Sequence, residues 1–158
     1  MQNLVRGAVA GLLATAPMTV VIGAGHAAGL MRNPPPVEIT ENVAEAAGAD
    51  PERRSAAFQA GWLAAHAGYG IACGMIFVPL RGLLPRSDIA AGLLFGGAVW
   101  GISYIGLLPA LRLYPAAPDD SRRRQAVMIT AHAVYGTALA VFDRLLLDKT
   151  RLAAFEPE

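Results

Sequence analysis

Apart from Arg6, every charged side chain in this sequence falls in one of four blocks: Arg32–Arg54, Arg81–Asp88, Arg112–Arg124 and Asp143–Glu158. The blocks leave four apolar stretches of roughly 20 residues, about the length that crosses the hydrocarbon core of a bilayer. In lipid every backbone N–H and C=O must be satisfied within its own segment or by a closed sheet, so continuous apolar runs of this length are helices. A hydrophobic share of 54% with only 16% charged residues, and a mean hydropathy of +0.42, place the chain among membrane proteins. We therefore expect an all-α, integral membrane four-helix bundle with helices at about 4–31, 51–78, 87–111 and 122–147. Residues 1–148 form one transmembrane domain, and 149–158 a polar C-terminal tail. The first apolar run is long and lacks a cleavage site before Arg32, so it reads as a retained helix rather than a signal peptide.

The second feature is an internal repeat. Gln59–Ala72, QAGWLAAHAGYGIA, returns as Gln125–Ala138, QAVMITAHAVYGTA, with eight of fourteen positions identical and no gap. Ala10-Gly11-Leu12-Leu13 likewise returns as Ala91-Gly92-Leu93-Leu94. Each half, about 1–80 and 81–148, reads as a helical hairpin. With two crossings per half, both halves enter from the same side, giving a parallel repeat about an axis along the membrane normal. Six basic residues lie on the side of the termini and seven on the other, so the positive-inside rule does not orient the bundle.

Helix connections can be read from proline, glycine and capping residues. Arg32, Asn33 and the run Pro34-Pro35-Pro36 end the first helix and favour an extended rod. A short amphipathic helix follows, with Thr40 as its cap and Gly48 as its stop, lying along the membrane surface, over the bundle mouth or solvated as a connection. Asp50-Pro51-Glu52 starts the second long helix. Pro17 frees a carbonyl inside the first helix, and Thr15 or Thr19 is placed to take up that polar slack. The GxxxG pairs Gly7/Gly11 and Gly25/Gly29, and the series through Gly92 and Gly96, are surfaces for close helix packing.

Positions i, i+7 and i+10 share a helix face, which aligns Gln59, His66 and Tyr69, and equally Gln125, His132 and Tyr135. A histidine facing lipid is costly, so both stripes are expected to point into the bundle, joined by His26 and rimmed by Arg32 and Arg112. These groups support three readings. They hydrogen-bond one another and fix helix register; they line a wet path for a small channel or transporter; or His66 and His132 hold haem b between two helices. A zinc site from the three histidines has no carboxylate nearby in sequence to orient it. No GxSxG or HExxH is present, so the chain is expected to be non-catalytic. Cys73 is the only cysteine, and a net charge of +1 points to no nucleic-acid partner. The glycine faces favour association with a second copy or with other membrane subunits.

The segments AGLLATAPMT, PPPVEITENVAEAAG, AHAGYG and GLLFGGAVWGISYIGLLPAL resemble the YagU-like family of small bacterial inner-membrane proteins, over about Gly7–Gly136. The resemblance implies location in the inner membrane and a helical fold. It carries over no catalytic residues.

Overall fold

The computed structural model describes residues 2–115 and 119–153, which are helical with no strand. The helices are α1 (Gln2–Ala27), α2 (Pro35–Ala46), α3 (Ala56–Leu80), α4 (Asp88–Ala110) and α5 (Arg122–Ala153). Four of them, all but α2, are long and apolar enough to cross a membrane. The protein is a four-helix membrane bundle with one short additional helix.

The glycines explain the packing. A Cβ on Gly7 or Gly11 would collide with the backbone carbonyls of Gly74 and Gly70, so α1 and α3 touch backbone to backbone. In the second pair, Gly92 lies on the Gly136 carbonyl and Gly96 on that of His132, which brings α4 against α5 in the same way. Gly11 and Gly92 hold matching places in the repeated text, as do Gly70 and Gly136. Such close approach replaces hydrophobic drive between membrane helices by van der Waals contact. The four packing glycines expected from the sequence therefore lie inside the chain and are not available to a partner.

Helix α1 also packs along α5, through Gly25 against the Val127 side chain. The buried core runs down this seam through Ala10, Ala14, Met18, Ala131, Tyr135 and Leu139. The backbones of α3 and α4 stay apart over most of their length. Near their connection Phe77 and Phe95 bridge them, edge to face at 5.1 Å; beyond that point the seam is open.

Several ends differ from the sequence expectation. Helix α1 stops at Ala27 rather than Met31, because Gly29 adopts φ +71° and the Leu30 and Gly29 amides return to the Gly25 and His26 carbonyls. This is a Schellman stop, so Gly29 terminates a helix rather than packing one. Pro35 and Pro36 do not extend a rod: with Pro34 as N-cap they open α2, since proline's fixed φ and missing N–H suit the first helical turn. Thr40 is then inside α2, its hydroxyl donating to the Pro36 carbonyl at 2.8 Å. Gly48, at φ +82°, does end the helix. Helix α3 begins at Ala56, capped by Ser55, whose Oγ accepts the Phe58 amide at 3.1 Å; Asp50-Pro51 lies in the preceding turn. Thr15 and Thr19 donate to the Gly11 and Thr15 carbonyls, not to the carbonyl that Pro17 frees, and α1 runs through Pro17 unbroken. Helix α5 continues to Ala153, so the first part of the expected tail is helix; 154–158 lie outside the described residues.

At the end carrying the N-terminus, Arg6 donates to Asp143 at 2.6 Å and Asp88 takes both Arg81 (2.9 Å) and Arg144 (3.0 Å). Asp143 and Arg144 thus pair with other helices, not with each other.

Candidate functional site

The open α3–α4 seam holds a cavity of about 240 Å³. Its walls are Ala65, His66 and Tyr69 from α3 and Trp100, Ser103, Tyr104, Leu107 and Leu108 from α4, with Met18, Met128 and His132 behind them. Pro35, Pro36, Ile39 and Thr40 of α2 lie across the top, and Tyr114 closes one side. Helix α2 therefore covers the cavity as a lid, one of the three placements its amphipathic pattern allowed. No charged residue lines the cavity.

The α4 wall depends on a π segment, Ile102–Leu107. Pro109 has no N–H and its ring crowds the preceding turn, and widening the turn to i→i+5 bonding accommodates it; such bulges recur at functional sites. Within the segment Ser103 and Tyr104 are buried. Ser103 Oγ and the Tyr69 hydroxyl share a hydrogen bond of 2.6 Å, which ties α3 to α4 at the cavity's lower edge. Tyr104 stacks on Trp100 at 5.5 Å and leans on Tyr114 at 5.8 Å, so three rings form one continuous aromatic wall.

Ion pairs hold the lid. Arg124 donates to Glu38 at 2.8 Å, lies 3.4 Å from Asp120 and places its guanidinium over the Tyr114 ring at 5.2 Å, a cation–π geometry. Arg53 forms a two-point pair with Glu41, and Asn42 donates to the Leu113 carbonyl at 2.9 Å. The Arg53 guanidinium keeps the Glu41 carboxyl below the usual carboxylate range. Tyr104 donates to Asp120 at 2.5 Å. Burial pushes the Tyr114 hydroxyl well above its ordinary value, so it stays protonated and able to donate.

The two polar stripes divide. His66, Tyr69 and His132 line the cavity. Tyr135 lies deeper, donating to the Gly70 carbonyl at 2.7 Å, and this bond closes α3 onto α5 one turn beyond the histidines. His132 Nδ1 is 2.8 Å from the Met128 carbonyl; a carbonyl only accepts, so Nδ1 carries the proton. The glutamines do not join them. Gln59 donates to the Arg53 carbonyl and accepts from Trp62, while Gln125 donates to the Asp120 carbonyl, so both serve helix starts. His26 is exposed, with Nδ1 3.2 Å from the Met31 carbonyl. The zinc reading loses its third ligand: among the described residues no three His, Cys, Asp or Glu side chains converge. Arg32 and Arg112 are exposed and outside the cavity lining; the arginines at the mouth are Arg53 and Arg124.

A family model described as "Family of unknown function (DUF6789)" matches residues 1–153. The chain belongs to the DUF6789 family. No curated protein and no solved structure matches it. In this DUF6789 chain the sequence reading missed Trp100, Ser103, Tyr104 and Tyr114 as site residues. A signal for the open seam was present in the repeat itself. With Ala10 aligned on Ala91 and Gln59 on Gln125, the Gly25–Val127 contact of the closed α1–α5 seam corresponds to Gly106 and Gly61, and a Cβ on either would meet nothing within 4 Å. Ile22 corresponds to Ser103. One seam has lost its filling side chain and gained a hydroxyl.

Proposed function

We propose that this is a non-catalytic, multi-pass protein of the bacterial inner membrane, built by duplication of a hairpin, which binds a small uncharged molecule in the α3–α4 cavity beneath α2. The observation that carries this is the cavity itself: pre-formed, mostly apolar, lidded by an ion-paired helix, and furnished with a few polar side chains, the usual make-up of a small-molecule site. The resemblance to YagU-like proteins supports the bacterial location. Tyr69 and Leu107, both in the lining, are 46% and 47% exposed, so the cavity meets the bundle surface where lipid lies. The α3–α5 closure at Tyr135 and Gly70 favours a molecule smaller than a haem macrocycle.

A second reading, association with itself or with other membrane subunits, keeps one observation. Gly97 and Gly101 on α4 have the GxxxG spacing and a Cβ on either would meet nothing within 4 Å.

The test is mass spectrometry of the protein extracted from its own membranes in mild detergent, beside Ala65→Phe, which fills the cavity. A small molecule that co-purifies with the natural chain and is absent from the variant supports the binding reading. A second polypeptide or second copy, retained in both, supports association instead.

A further inference from the structure

The described residues contain three buried side-chain polar atoms without a hydrogen-bond partner: His66 Nε2, Trp100 Nε1 and the Tyr114 hydroxyl. All three residues line the one cavity. Buried polar groups are normally paired, and each one left over costs about 1–3 kcal/mol. All three belong to side chains that share one cavity lining, so an occupant there is the partner their chemistry calls for.

Their chemistry restricts the occupant. Indole N–H only donates, while the Tyr114 hydroxyl and a neutral His66 ring nitrogen can each donate, so an occupant presenting acceptors can pair with all three. No described residue in the lining is charged, and Arg53 and Arg124 beside it are already paired with Glu41, Glu38 and Asp120, which leaves an anionic headgroup no free counter-charge. The Trp100–Tyr104–Tyr114 wall is suited to stacking against a flat ring. At about 240 Å³ the space exceeds the roughly 150 Å³ engineered cavity that takes benzene, which allows one substituted ring. The exposed Tyr69 and Leu107 leave a way out to lipid for an apolar chain.

Resting on the binding reading above, we propose that the occupant is a membrane-dissolved quinone. Its ring lies along the aromatic wall, its carbonyl oxygens accept from Trp100, Tyr114 and the His66 ring, and its tail leaves between α3 and α4. Binding alone is inferred, with no electron transfer.

The experiment uses the full chain with Trp62→Phe in nanodiscs, so that Trp100 is the only fluorophore of its kind, titrated with decyl-benzoquinone and, in parallel, decylbenzene. Saturable quenching by the quinone is expected, weakened at least tenfold by His66→Leu with Tyr114→Phe, a shape-conserving pair that removes two polar atoms. Saturable binding of decylbenzene with equal affinity would overturn the quinone assignment and leave the cavity reading intact. Quenching that rises linearly without saturation, unchanged in Ala65→Phe, is collisional and would overturn both. If the double variant loses the native helical spectrum, His66→Leu alone decides, with at least a threefold weakening expected and no change overturning the assignment.

Discussion

Two adjacent glycines separate packing from flexibility. Gly96 rests on the His132 carbonyl, whereas a Cβ on Gly97 would meet nothing within 4 Å. Gly96→Ala must push α4 off α5 and is expected to cost about 1–3 kcal/mol. Gly97→Ala gains about 0.5–1 kcal/mol from helix propensity. Thermal unfolding in detergent distinguishes them, and an equal effect of both would sink the packing argument. Asp143 makes a different case: it is 4% exposed and held by Arg6. Asp143→Asn leaves the half-buried Arg6 guanidinium facing an uncharged amide and should cost about 1–3 kcal/mol, while Arg6→Met with Asp143→Leu recovers most of it. A double variant as unstable as the single one would show that the pair is not the cause.

At the scale of elements, α2 is the part whose position depends on pH. Arg53 lowers the Glu41 carboxyl, so the clamp's contribution is complete above the unfolded value of about 4.3 and is lost as pH falls through the lower folded value. Spin labels on Val43 and Ile129, both exposed, should report one distance at pH 7 and a broad distribution below about pH 4. Glu41→Gln should broaden it at neutral pH; a distribution still narrow in that variant would show that Glu41 does not hold the lid. The four spans were legible because charge blocks bound them and lipid leaves no other structure. The starts of α2 and α3 were misread for a local reason: proline ends one helix and begins another equally well, and only the neighbouring chain decides which. The π segment was not legible at all, since it answers to Pro109 acting on the turn before it. Periodicity put His66, Tyr69 and His132 on the stripes that line the cavity, with Tyr69 at its exposed edge. It assigns a face and not a neighbour, so the aromatic wall from α4 and Tyr114 could be seen only once α3 and α4 were placed.

At the scale of the molecule, one seam is closed by side chains and its counterpart is held by the Phe77–Phe95 contact, the Tyr69–Ser103 bond and the lid. A bundle joined in this way has the build of a spring clip. The α1–α5 seam has the place of a fulcrum and α3 and α4 that of jaws, so a small rotation at the fulcrum would become a larger change of gap at the mouth. An occupant that bonds to both jaws is therefore felt as stiffness. Hydrogen exchange should slow in α3 and α4 near the mouth when decyl-benzoquinone is added, and stay unchanged along α1 and α5; uniform slowing would mean that the clip has no fulcrum. Occupancy of this protein would then be signalled to its surroundings by how firmly two helices are held, with no change in the path of the chain.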